Sequence, residues 1–131
     1  MEITIGAACS LSVTVDKSNT AGAVGSGLVD VFATPMMIAL MEKASARCLA
    51  QFLPEGQASV GTRIAVSHAA ATPIGMTVTA TAVITAADRR RVDFQVSASD
   101  GAGPVGAGTH TRFIIDTDRF LEKAEKRKNE L

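Results

Sequence analysis

Three side chains able to do chemistry together stand at Thr34, Glu42 and His68, a hydroxyl, a carboxylate and an imidazole. Such a set can activate water or a nucleophile and handle the proton that follows. Thr34 opens a helix-forming stretch, where free N–H groups and the helix dipole favour negative charge. Glu42 falls on the apolar side of that helix, and its neighbours three and four residues away are Ile38, Ala39, Ser45 and Ala46. None is a cation, so no ion pair within the helix accounts for the carboxylate. His68 shares one face of a strand-like run with Val60, Ile64 and Val66. If that face meets the helix, the imidazole joins the layer that holds Glu42. Each residue also has a plain structural reading. Thr34 would be a helix cap, Glu42 an edge residue reaching solvent or a cation on another strand, and His68 a satisfied core histidine.

The elements that must position these groups can be read from pattern. Residues 34–52 form the central helix, with Thr34 as N-cap, Pro35 at the first helical position and Pro54 and Gly56 beyond its end. Ile38, Met41, Ser45, Cys48, Leu49 and Phe52 make its stripe. A strand is expected near 8–16, where Leu11, Val13 and Val15 alternate with serines and a threonine. Thr20 to Gly27 reads as a loop of small residues, followed by a short helical turn at Leu28, Val29, Val31 and Phe32.

Four strand-like runs follow the helix, over residues 58–70, 76–86, 91–99 and 105–115. Thr72-Pro73-Ile74-Gly75, Asp88-Arg89-Arg90 and Asp100-Gly101 mark the turns between them. Turns of that length predict antiparallel neighbours, with the long helix covering one face of the sheet. The class is therefore α+β, a five-stranded antiparallel sheet with one long helix. A second, polar helix is expected over 117–128, docked by Phe120, Leu121 and Ala124. His110 and Arg112 share one parity of the last strand with Gly106 and Gly108 and read as facing solvent rather than lining a groove.

Composition narrows the function classes. The 131 residues are enough for one core, and a single domain over 1–131 is expected. Basic and acidic residues balance at 13 each and aromatics are only 4%, so neither a field nor a stacking surface for nucleic acid is indicated. Cys9 and Cys48 lack CxxC spacing, which argues against a metal site or a disulfide framework. The N-terminus has no signal-peptide pattern and no run reaches transmembrane length, so a soluble cytoplasmic protein that does not engage a membrane is expected. Dinucleotide, P-loop, nucleophile-elbow and zinc-protease motifs are missing.

The stretch Val31-Phe-Ala-Thr-Pro-Met-Met-Ile-Ala-Leu-Met-Glu, followed by Val60-Gly-Thr-Arg-Ile-Ala-Val-Ser-His, resembles the hotdog-fold thioesterases, in particular the fluoroacetyl-CoA thioesterase subgroup. The resemblance implies a sheet wrapped around one long helix, a homodimer or tetramer, and hydrolysis of a small or medium acyl-CoA at the dimer interface. It places the catalytic roles on Thr34, Glu42 and His68, and the backbone N–H near the thioester carbonyl on Gly61, with Thr62 beside it. No cofactor is implied, CoA being part of the substrate. Glu42 would act as nucleophile, through an acyl anhydride, or as base for water. Arg89, Arg90 and Arg91 are expected to meet the CoA phosphates. The loop over residues 19–30, which borders the acyl pocket in such proteins, carries no aromatic residue. The alternative is a hotdog module that binds acyl-CoA without hydrolysing it. A hydratase is disfavoured, because the short motif with Asp and His is missing.

Overall fold

A computed structural model describes residues 2–131. The elements are β1 (Ala8–Thr14), α1 (Ala21–Val24), α2 (Thr34–Ala50), β2 (Gln57–His68), β3 (Thr77–Asp88), β4 (Arg91–Asp100), β5 (Gly103–Asp116) and α3 (Thr117–Lys126), closed by a 3-10 turn at Arg127–Glu130. The strands form one antiparallel sheet in the order β1-β3-β4-β5-β2, and α2 lies across one face of it. The α+β hotdog architecture is as expected.

The core is where α2 meets the sheet. Met37, Met41, Ala44, Cys48 and Leu49 pack on Val78, Ala80, Ala82 and Ile84 of β3 and Val92, Phe94 and Val96 of β4, all buried. Strict alternation in β3 and β4 supplies one apolar face, and each large side chain removed from water contributes about 1.5–3 kcal/mol. With few rings available, Phe32 and Phe94 are the largest side chains in this core.

Several local expectations shift. The buried line of α2 keeps Met41, Ser45, Cys48 and Leu49 of the expected stripe and adds Met37, Leu40 and Ala44, while Ile38 and Phe52 are only partly buried. Glu42 therefore sits on the flank, its side chain 41% exposed. The N-cap is Ala33, in extended conformation, and Thr34 is already helical, so its hydroxyl does not serve as a cap. The carbonyl of Ala33 accepts from Met36 and Met37 and starts the helix without a side chain. The short helix lies at 21–24, not 28–32. Thr20 Oγ1 caps it by accepting from Ala23 N at 3.2 Å, and Gly25 ends it at φ 79°. Val31 and Phe32 are extended instead, bridged to Pro73 and Thr20. Phe32 belongs to the core and its N–H donates to Thr72 O, which holds this segment straight.

The chain does not turn directly from β2 into a neighbouring strand. β2 pairs with β5 at one edge, whereas β3 lies between β1 and β4. The link over residues 69–76 makes this crossing, tied down by buried Thr72, whose hydroxyl donates to Asp100 Oδ2 at 2.6 Å. Turn residues alone could not reveal this, because a turn of Pro and Gly fits a hairpin or a crossover equally well. The remaining turns do join neighbours. The β3–β4 hairpin closes through Arg89 and Arg90, with Arg89 at φ 57°.

β2 carries a bulge. The register with β5 shifts between Gly61 and Arg63, leaving Thr62 as the extra residue. The single alternation expected from Val60 to His68 is thereby split. Gly61, paired with Arg112, comes into phase with Ile64, Val66 and His68 on the helix side, and Val60 does not. α3 buries no side chain, and Phe120 and Leu121 remain 39% and 59% exposed.

Candidate active site

Two clusters lie along α2, one at its start and one two turns on. At the start, Thr34 Oγ1 and His68 Nδ1 are 2.7 Å apart. Thr34 is available because Ala33 took the capping position, and His68 arrives as the last residue of β2, opposite Gly106 of β5. Gly106 is needed there, since a Cβ would meet Met37 Sδ of the helix at 2.9 Å. His68 Nε2 is shielded from solvent and has no hydrogen-bond partner among the described residues. Thr34 and His68 together line an open cavity of about 390 Å³, whose other walls include Ala21, Gly27, Val29, Phe32 and Ala70.

The second cluster surrounds Glu42. Its Oε2 is 4.0 Å from Arg112 Nη1, so the bland expectation of a cation on another strand holds in part. The same oxygen lies 2.7 Å from where a Cβ on Gly61 would stand, with His110 Cε1 at 3.2 Å from that point. Arg112 is anchored by Nε donating to Ser59 Oγ at 2.8 Å and Nη2 donating to Ser59 O at 2.9 Å. Its Nη1 lies 3.3 Å from His110 Nε2, and His110 Nδ1 is 2.7 Å from Arg63 O. A carbonyl only accepts, so Nδ1 carries the proton and Nε2 presents its lone pair to the guanidinium. Burial, more than the nearby Arg112, lowers the His110 pKa from 6.5, while the bond to Arg63 and the charge of Glu42 oppose this. Arg112 is likewise pulled down by burial, against the attraction of Glu42.

His110 and Arg112 were expected to face solvent. Both are buried, at 2% and 7% exposure. Either parity of β5 mixes apolar and polar residues, so alternation could not tell which face turns inward. The available signal was Gly106 and Gly108, which share their parity and lie where backbone or helix approaches too closely for a side chain.

One chain thus joins Thr34 to His68 and Glu42 to Gly61, but does not join the pairs. Eight residues of helix separate Thr34 from Glu42, about 12 Å of rise. Thr62 projects from the bulge with its hydroxyl donating to Thr111 O at 3.2 Å. Arg90 and Arg91 are ion-paired with Asp116 at 3.2 Å and Asp93 at 3.1 Å. Arg89 has no ion pair among the described residues. Cys48 lies on the buried face of α2 with its thiol pKa pushed up to about 11, by burial first and then by Cys9, so it stays protonated near neutral pH.

Comparisons with known proteins agree with this fold. The family model described as fluoroacetyl-CoA-specific thioesterase matches residues 15–118. The fluoroacetyl-CoA thioesterase of Streptantibioticus cattleyicolor is 45% identical over 98 residues, which is 75% of this chain and 70% of the relative. A solved fluoroacetyl-CoA thioesterase superposes with a TM-score of 0.91 at 36% identity, over 96% of this chain and 98% of the other. A hot-dog-like protein from Thermanaerovibrio acidaminovorans gives 0.85 at 28% identity, over 94% and 91%. With its sheet, its long helix and its sequence in accord, the chain belongs to the fluoroacetyl-CoA-specific thioesterase family.

Proposed function

We propose that this thioesterase hydrolyses short to medium apolar acyl-CoA substrates at a site shared by two copies of the chain, with Thr34 and His68 from one and Glu42 and Gly61 from the other. The observation that carries the reading is the 2.7 Å contact between Thr34 and His68 in the wall of a cavity otherwise lined mostly by small apolar residues. β2 is an edge strand twelve residues long, paired with β5 on one side and with no strand on the other among the described residues. Such an edge invites a second strand, and a two-fold antiparallel pairing centred near Ile64 and Ala65 would set Gly61 of one copy beside His68 of the other. The unpartnered His68 Nε2 supports this, because a buried polar atom without a partner costs about 1–3 kcal/mol.

In this reading the acyl group occupies the cavity beside Thr34. The Gly61 N–H stabilises the developing oxyanion, and Glu42 attacks the carbonyl or deprotonates water. His68, oriented by Thr34, delivers a proton to the leaving thiolate. The loop at 19–30 carries no aromatic side chain, and Leu28 is fully exposed, so the wall is open to chains larger than fluoroacetyl.

Thiol release over a panel of acyl-CoAs, fluoroacetyl-CoA included, tests both the reaction and the preference. Activity rising with chain length over the first few carbons is expected. No release at any length would leave the non-catalytic binding module. Light scattering at micromolar concentration should give twice the chain mass, and a monomer would rule out the shared site. Glu42→Gln should lower kcat by about a hundredfold or more. Oxygen-18 found in Glu42 after a single turnover in labelled water would mark the anhydride route.

A further inference from the structure

We infer that Arg112 is a positioning residue for Glu42, held in place by Ser59 and His110; this rests on the reading that Glu42 takes part in hydrolysis. A buried guanidinium is a costly thing to place inside a small protein, and an apolar side chain of similar volume generally serves packing better. Arg112 nevertheless lies at 8% side-chain exposure with its donors assigned. Nε and Nη2 donate to the hydroxyl and carbonyl of Ser59, at 2.8 and 2.9 Å. Nη1 reaches the lone pair of His110 Nε2 at 3.3 Å. What is left of Nη1 lies 4.0 Å from Glu42 Oε2, outside hydrogen-bond reach and inside ion-pair range.

That distance has a chemical meaning. A bidentate Arg–carboxylate pair would occupy both oxygens of Glu42 and blunt them as base or nucleophile. At 4.0 Å the cation attracts the carboxylate and fixes its location while leaving its lone pairs free.

The support is rigid by construction. The His110 tautomer is set by the carbonyl of Arg63, at the β2 bulge, and its ring packs against Phe94 with centroids 5.9 Å apart. Ser59, Gly61 and Arg63 all belong to β2, so the strand that offers the Gly61 N–H also places the cation. The charged and titratable groups in this cluster are Glu42, His110 and Arg112.

A double-mutant cycle separates positioning from plain structure. Arg112→Met should lower kcat about ten- to thirtyfold with KM changed less than about threefold, and Arg112→Lys should restore part of the loss. In a Glu42→Gln background the same Arg112→Met change should cost less than about twofold, because the group it positions is gone. Equal losses in both backgrounds, or no loss in the wild-type background, would overturn the proposal. A Glu42→Gln protein with full activity would instead overturn the role of Glu42 itself. If Arg112→Met fails to fold, Ser59→Ala takes its place. It removes only the bond to Nε, and a loss of kcat seen with Glu42 present but not with Gln is expected. An equal loss in both is the overturning result.

Discussion

The carboxylate of Glu42 stands where a side chain on Gly61 would begin, its Oε2 2.7 Å from the ideal Cβ position. Helix and strand are thus matched at one point, and glycine at 61 makes room for an acid. Gly61→Ala should leave the fold intact, since the atom in the way is the end of a flexible side chain. It should lower kcat tenfold or more by pushing the carboxylate aside, as displacements of about 1 Å in an active site do. Thiol-release kinetics and a melting curve on the same sample check both halves of this expectation. Unchanged kcat would mean that the carboxylate's location is immaterial.

Thr34 bonds to His68 instead of capping α2, which decides how its variants behave. A lost capping side chain usually costs about 1 kcal/mol, and that penalty should not appear in Thr34→Val. The melting temperature should stay within a few degrees while kcat falls on the order of tenfold to a thousandfold. Thr34→Ser keeps the hydroxyl and should retain most of the activity. A large drop in melting temperature for Thr34→Val alone would restore the capping role.

His110 makes stability depend on pH. Its folded-state pKa lies below the 6.5 of an unfolded chain, mainly through burial. Below pH 6.5 the unfolded chain therefore takes up the proton first, and stability falls as pH drops toward the folded-state value. Asp16 and Asp100, whose pKa values are lowered from 3.8 by hydrogen bonds from Ser18 and Thr72, act only at lower pH. Denaturant midpoints measured between about pH 7 and 5, at constant protein concentration, should decline in the wild type. They should decline less in His110→Gln. Identical slopes would remove His110 as the source.

Of the three arginines at the β3–β4 turn, Arg90 and Arg91 are ion-paired with carboxylates, and Arg89 has no ion pair among the described residues. Arg89 is thus expected to supply most of any contact with the CoA phosphates. Arg89→Asn, chosen because Asn tolerates the left-handed backbone at φ 57°, should reduce kcat/KM on an acyl-CoA by about a few-fold to tenfold. The same acyl group on N-acetylcysteamine should be hydrolysed unchanged. Equal losses on both substrates would assign the arginine to the turn itself.

The extent of α2, the facing residues of β3 and β4, and the candidates Thr34, Glu42 and His68 were legible in the chain, while Gly61 came only from the family resemblance. Helix propensity, period-two alternation and turn chemistry act over a few residues, and those residues carry them. Family resemblance added the hotdog fold and the reaction class. The tertiary structure alone decided that β2 leaves β3 for the far edge, and that the bulge at Thr62 brings Gly61 round to the helix. It also turned the His110–Arg112 side of β5 inward and released Thr34 from capping to His68. Each of these depends on which surfaces compete for burial across the whole sheet. Strand order and strand phase are settled by contacts between residues far apart in sequence, such as Thr72 with Asp100 and Gly61 with Arg112, and no local pattern encodes them.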